Sequence, residues 1–277
     1  MSFSKRKKIV LMTRSGQMCN QLLSLAALYT IGLEYGYDTT CPVIDERLKE
    51  YFEFNSPNDN IIISFYNSPS AELYMQITKK IIALLGVKTK ATLDLRKKRK
   101  QVFYDWISFL DNKVFTKHTG EIRTFFKISA DIEERCKRML TEKNKILVGV
   151  HIRRGDYKEY LNGKYFYDDD CYIKWLTNLK EQSKEEVCFV LCSNEKIDIK
   201  KYEEAGLDVC APGTSSVEDL CYLSLCDYVM GPPSSYSFWA AMYGNKPRCI
   251  LDDRNQCYAW EAFKYFEDRL QAGDYIR

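Results

Sequence analysis

The chain has 277 residues, of which 45% are hydrophobic and 29% charged, with a net charge of +3 at neutral pH. That balance fits a globular protein of one large domain or two modest ones. A net charge of +3 is too small to argue for a nucleic-acid binder, whose basic excess would cover a whole domain, and no apolar run reaches the roughly 18 residues of a transmembrane helix.

The N-terminus MSFSKRKKIVLMTRSG is basic and then briefly apolar. With no small-residue cleavage site after it, it reads as a first strand and not as a signal peptide. The strand KIVLMT leads through the polar loop RSGQMCN into QLLSLAALYTIGLEYG, which has helical apolar spacing and a terminal glycine. TTCPVI is the next candidate strand. Residues 70–87 have the spacing of an amphipathic helix, with Leu73, Ile77, Ile81, Leu84 and Leu85 on one face. The stretch 88–127 has no clear period and carries the basic run RKKRK at 96–100.

The second half alternates regularly. SADIEERCKRMLTEKN reads as a helix, ILVGVHIR a strand, DCYIKWLTNLKEQ a helix, VCFVLCS a strand, LDVCA a short strand and SSVEDLCYLSLC a helix. The strand DYVMG, the helix SYSFWAAMYG and the strand PRCIL follow, and YAWEAFKYFEDRL in the tail reads as one amphipathic helix. Such alternation predicts parallel sheets covered by helices. Ligands in these sheets bind at the carboxyl ends of the strands, which puts Arg153, Ser193 and the loop Pro232–Ser235 on one rim. The expected division is a first domain over 1–140, a second over 141–256 and a closing helix over 257–277.

Eleven cysteines without a CxxC pair, and two histidines, His118 and His151, speak for reduced, mostly buried thiols in a cytosolic protein rather than for zinc. Asp168-Asp169-Asp170 and Asp252-Asp253 invite a metal reading, but the first reads better as the acidic start of a helix.

VHIRRGDY, residues 150–157, stands out because a buried strand ends in a histidine, two fixed cations, a glycine and an aspartate. An arginine fork matches phosphate oxygens, and Gly155 permits a sharp turn. A surface salt-bridge turn through Asp156 is the plainer alternative for this motif alone, and His151 alone reads as a core histidine. SSYSFWAA at 234–241 sets hydroxyls and N–H groups at a helix start, which suits an anion or a simple serine cap. SGQMCNQ, with Gly16 and two amides, lies between strand and helix and is neither a Walker loop nor GxGxxG.

Taken in order, these segments resemble the α-1,2-fucosyltransferases that use GDP-fucose. HIRRGDY is similar to that family's HxRRGD signature, SGQMCNQLLSLAALY to its opening strand–helix loop, and DLCYLSLCDYVMGPPSSYSFWAAMYG to its later serine cluster. Ser193-Asn194-Glu195 stands where the family has a Ser-Asp-Asp turn. The resemblance implies an α/β fold of GT-B type, two Rossmann-like domains facing across a cleft, the first on the acceptor side and the second holding the nucleotide sugar, with the closing helix packing back on the first. It implies inverting transfer of L-fucose from GDP-fucose to a glycan hydroxyl, in α-1,2 linkage to galactose, with no metal and no cofactor beyond the donor substrate.

By motif match, Arg153 contacts the diphosphate, Arg154 joins it or braces Asp156, and His151 lies near phosphate or fucose. Ser234, Ser235 and Tyr236 donate to phosphate oxygens. Asn20 with Gly16 approaches from the facing domain, and Ser193 and Glu195 read guanine or ribose. The proton acceptor stays open among Asp156, Glu159 and a phosphate oxygen. The implied partners are a nucleotide sugar and an oligosaccharide acceptor, with no nucleic acid. The expected location is cytoplasmic, and the run RKKRK reads as a solvated face or, alternatively, as a peripheral membrane contact. Another nucleotide-sugar donor, or a non-catalytic glycan-binding relative, remain the rival readings.

Overall fold

The computed structural model describes residues 7–11, 16–55, 61–66, six positions between 73 and 84, 101–104, 111–140, 144–213 and 215–271. The chain divides into two compact units, Met1–Ser129 and Ala130–Arg277.

In the first unit, β1 (Lys7–Leu11), β2 (Tyr37–Asp45), β4 (Ile61–Tyr66) and β5 (Gln101–Tyr104) form a parallel sheet in the order β4-β2-β1-β5. β3 (Phe52–Phe54) and β6 (Phe126–Ile128) make a small antiparallel pair beside it. The helix α1 (Met18–Tyr35) is apolar nearly all round, and Leu22, Leu25, Ala26, Leu28 and Tyr29 are fully buried, as expected of a core helix. It stops where Gly36 turns left-handed at φ 67 and its N–H bonds to the Gly32 carbonyl at 3.0 Å. Tyr29 stacks on Phe125 of a second helix, Thr119–Phe125, with ring centroids 4.4 Å apart.

The helix expected at 70–87 departs from its reading in one respect. Leu73, Ile77, Ile81 and Leu84 are helical, yet all four are exposed, Leu84 to 86%. Apolar periodicity fixes which side chains share a face but not whether the rest of the fold covers it. Leu85 and the run RKKRK lie outside the described residues.

The second unit is a five-stranded parallel sheet in the order β11-β10-β7-β8-β9. β7 (Ile146–Ile152) is central, with β8 (Val187–Ser193) and β9 (Val209–Cys210) on one side and β10 (Tyr228–Gly231) and β11 (Arg248–Ile250) on the other. Val148, Val150, Phe189 and Val190 are fully buried, which is why these strands are continuous apolar runs. Because the chain leaves β7 first toward β8 and returns on the other side at β10, the sheet switches direction between β7 and β10. That is where parallel sheets open a crevice at their carboxyl ends.

The described part of the tail is built into this second unit, and not as one helix. A short 3-10 turn, Trp260–Ala262, is followed by a helix, Phe266–Gln271. The break falls where Lys264 and Arg248 exchange backbone hydrogen bonds. Trp260 and Phe263 pack edge-on against Tyr228, and Phe266 against Phe238.

Candidate functional site

β7 ends at His151-Ile152, and the register sets Ile152 beside Ser193 at the end of β8. β10 ends at Gly231 directly against His151, where a Cβ on residue 231 would stand 2.9 Å from the His151 Cβ. Only a residue without a side chain lets the two strand ends come so close. The helix Ser235–Gly244 then starts with Ser234 as its cap, whose Oγ accepts from the Tyr236 N–H at 3.1 Å. Histidine, arginine and helix start therefore meet at the switch point.

The two arginines have different partners. Arg153 donates to Asp156 at 2.9 Å, its guanidinium lies 5.6 Å from the Tyr157 ring centre, and its side chain retains 16% exposure. Arg154 turns into the protein. It is bound to Asp169 at the start of the helix Asp169–Gln182 and to the Tyr167 carbonyl at 3.2 Å. Asp169 also accepts from Tyr202 at 2.8 Å. Burial opposes its ionisation, but the Arg154 and Tyr202 hydrogen bonds hold its pKa below the ordinary carboxylate range. Arg154 was expected at the diphosphate or on Asp156. The structure gives Asp156 to Arg153 and engages Arg154 as a brace.

Gly155 follows with φ 61, the left-handed turn that favours glycine. A side chain there would stand 3.0 Å from the Asn194 amide and 3.5 Å from Glu195 Oε1. Asn194 clasps the Arg154 backbone on both sides, its Oδ1 accepting from the N–H at 2.9 Å and its Nδ2 donating to the carbonyl at 3.2 Å. Ser193 Oγ accepts from the Glu195 N–H at 3.1 Å, closing the turn that presents Glu195 to solvent. The loops after β7 and β8 thus form one wall.

His151 is 4% exposed and its Nδ1 has no hydrogen-bond partner among the described residues. Burial first, then the charges of Arg153 and Arg248, push its pKa down to about 3. It is a neutral imidazole at working pH, suited to a hydrogen bond and not to taking a proton. Its ring packs 4.8 Å from that of Tyr236. The Tyr236 hydroxyl, expected to meet phosphate, donates instead to the Ser216 carbonyl, because the ring is laid across His151 with its hydroxyl at the next helix. Ser234 and Ser235 remain at the helix start, and the buried Arg248 lies beside them, its Nη1 3.4 Å from the Ser234 carbonyl.

One further acid was missed in the sequence. Asp219, in the first turn of the helix Ser216–Leu225, is 8% exposed, and its Oδ1 has no partner among the described residues. Burial, with Glu218 adding to it, raises its pKa to about 7. That oxygen lies 2.8 Å from where a Cβ on Gly213 would be. The available signal was its place on the same helical face as Tyr222, Leu223 and Cys226.

The acids that invited a metal reading have other partners. Asp168 caps the helix after it, its Oδ1 accepting from the Cys171 N–H at 3.0 Å, and pairs with Arg254 at 3.3 Å. Asp252 Oδ1 accepts from the Tyr258 hydroxyl at 3.1 Å. In the first unit, Gly16 has φ 37, and Asn20 Nδ2 lies 2.9 Å from where its Cβ would be. Gln21 ties this turn to β2: its Nε2 donates to the Gly16 carbonyl at 3.2 Å and its Oε1 accepts from the Asp45 N–H at 3.0 Å.

The pattern of the family described as Glycosyl transferase family 11 matches residues 100–258. No curated protein sequence matches the chain. Among solved structures, it is similar to NodZ, the α-1,6-fucosyltransferase of Bradyrhizobium, soaked with GDP-fucose, with TM-score 0.59 and 18% identity over 91% of this chain and 98% of that one. A mutant of FUT1 from Arabidopsis thaliana in complex with GDP has TM-score 0.58 and 12% identity, over 96% and 74% of the two chains. POFUT1 in complex with GDP-fucose has TM-score 0.57 and 10% identity, over 90% and 98%. The fold shared with these proteins is the GT-B class, with parallel α/β sheets in both units.

Proposed function

The chain belongs to glycosyl transferase family 11, and on that premise we propose that it transfers L-fucose from GDP-fucose to a glycan hydroxyl with inversion. The proposed product is the α-1,2 linkage to galactose. The observation that carries this reading is the partly exposed cation at the switch point: Arg153, directly after β7, on the same rim as the Ser234 helix start and the buried Arg248. Fucosyltransferases of the same fold in complex with GDP or GDP-fucose support the choice of donor.

In this mechanism the acceptor oxygen attacks the anomeric carbon of fucose, the bond from that carbon to the β-phosphate oxygen breaks, and GDP leaves with the bonding electrons. Arg153 and the N–H groups at the helix start meet the negative charge that grows on the leaving phosphate. Ser234 and Ser235 add hydroxyls from the same helix start. Arg154 does not touch the donor. It fixes the strand end so that Arg153 is already in place. His151, neutral, offers a ring nitrogen to phosphate or fucose. The acceptor proton passes to Asp156, Glu159 or a phosphate oxygen.

Asp219 is assigned to guanine, whose adjacent N–H groups fit a buried carboxylate oxygen that lacks a donor. Glu195 and Ser193 are placed on the ribose side. Gly16 and Asn20 are assigned to substrate contact from the first unit. Fixed arginines take the part that a divalent cation plays in other transferases, so the proposed reaction is metal-independent.

The test is calorimetric titration of GDP, GDP-fucose, GDP-mannose and UDP in EDTA. GDP should bind to the wild type and be lost in Arg153→Ala, and GDP-fucose should be preferred over GDP-mannose. Binding of UDP alone, or binding that needs a divalent ion, refutes the assignment.

A further inference from the structure

Between Arg153 and the helix Asp169–Gln182 the chain makes two short 3-10 turns, Gly155–Lys158 and Tyr160–Gly163. Inside the second, Leu161 and Asn162 adopt left-handed backbone angles, φ 49 and φ 57. Asparagine tolerates that region, but leucine is disfavoured there because its Cβ crowds the following carbonyl. Packing does not account for it: Leu161 is 56% exposed and Tyr160 52%. Glycine at 161 would hold the same turn with less strain and forfeit only the smaller, covered part of a side chain that lies mostly in solvent. What the leucine adds, with the tyrosine before it, is apolar surface held out to solvent by a disfavoured backbone. Strain of this kind collects at ligand-binding positions.

The pair is connected to the site already described. Tyr157 is 9% exposed and anchored by its hydroxyl, which donates to the Pro233 carbonyl at 2.7 Å, just ahead of the serine helix. Its ring lies 5.6 Å from the Arg153 guanidinium and 5.2 Å from the Tyr160 ring. Tyr160 therefore stands two ring contacts from the proposed leaving-group cation. Exposed polar groups frame it, with the Glu159 carboxylate before it and the Asn162 amide after it.

We propose that Tyr160 and Leu161 form the platform on which the acceptor sugar lies. A pyranose has an apolar face of C–H bonds and a rim of hydroxyls. An aromatic ring and an aliphatic side chain fit the face, and a carboxylate and an amide fit the rim. This rests on the fucosyl-transfer reading and extends it: the turn after the arginine motif selects the acceptor, while the strand ends hold the donor.

The experiment compares wild type, Tyr160→Ala, Leu161→Gly and, as a control at an exposed aromatic elsewhere, Tyr265→Ala. Acceptors are drawn from a panel of galactose-, N-acetylglucosamine- and mannose-terminated oligosaccharides, and GDP affinity is measured by calorimetry. Acceptor KM should rise about tenfold in the first two variants, the scale of one lost ring contact, with GDP affinity and the control unchanged. Leu161→Gly should unfold no earlier than wild type, which separates the loss from a folding defect. Unchanged acceptor KM in both variants overturns the platform, as does a parallel loss of GDP affinity or a wild type that hydrolyses GDP-fucose but uses no glycan of the panel. A wild type that binds no GDP refutes the fucosyl-transfer reading itself.

Discussion

Asp219→Asn removes a pH dependence that the fold imposes on itself. The carboxyl titrates at about 7 in the folded chain against an ordinary value of 3.8. Between those values the folded state holds a proton that the unfolded state has released. Stability from this group is therefore full below pH 3.8 and lost as pH rises through 7, at ~1.4 kcal/mol per unit and about 4 kcal/mol in total. Asparagine does not titrate, and every other group is common to both proteins and cancels. From pH 5 to pH 8 the stability of Asp219→Asn relative to wild type should improve by about 3 kcal/mol. Urea unfolding at the two pH values measures it. The donor adds a second readout: if guanine N–H groups reach Oδ1, GDP binding favours the carboxylate and expels a proton near pH 6.5. The calorimetric heat then varies with the ionisation heat of the buffer in wild type and not in the variant. An equal pH dependence in the two proteins would refute the reasoning, because it would mean that the buried oxygen is solvated or paired.

Other outcomes follow from the same geometry. Arg153→Ala should lower kcat by roughly 10²–10³ while keeping its far-UV spectrum and unfolding midpoint, the cost of removing one transition-state donor; near-normal turnover sinks its role. Arg154→Ala should act on stability, by about 3 kcal/mol, because it leaves the largely buried Asp169 only the Tyr202 hydroxyl and the exposed Lys201 ammonium 3.5 Å away, and urea unfolding separates it from Arg153→Ala. With His151 neutral down to about pH 3, the activity profile should have no limb near pH 6.5 that His151→Gln removes; such a limb would show the imidazole to be more solvated than its surroundings imply. Vesicles rich in anionic lipid should bind the chain at low salt and release it at high salt if RKKRK lies on a membrane, and salt-insensitive or absent binding leaves that run a solvated face.

The second unit was the more legible in sequence for a physical reason. VCFVLCS and SYSFWAAMYG match their elements residue for residue, since a strand buried on both faces and a capped helix each carry their own signal. In the first unit, IIISFY at 61–66 and QVFY at 101–104 were passed over. Short strands become strands by pairing with β2 and β1, which no local period announces. The tail was read as one helix because the pairing of Lys264 with Arg248 is a long-range event. At the site, the motif placed two arginines at the strand end but did not show which of them turns into the protein. That depends on Asp169, fifteen residues on, and on Asn194, forty residues on. Asp219 was hidden because an acid in a helix's first turn already has an ordinary explanation in the helix dipole.

The contact between Arg153 and Asp156 has a kinetic consequence. The cation proposed to receive the leaving group has a resident counter-ion three residues away, on the same turn. On the proposed mechanism an arriving diphosphate competes with that carboxylate for the guanidinium, and a departing GDP leaves it to the carboxylate again. Asp156 thus competes with product at each turnover, trading tightness of donor binding for speed of release. Removing it should leave an enzyme that holds GDP longer, and slow release alone accounts for a lower turnover at saturation where Glu159 or a phosphate oxygen takes the acceptor proton.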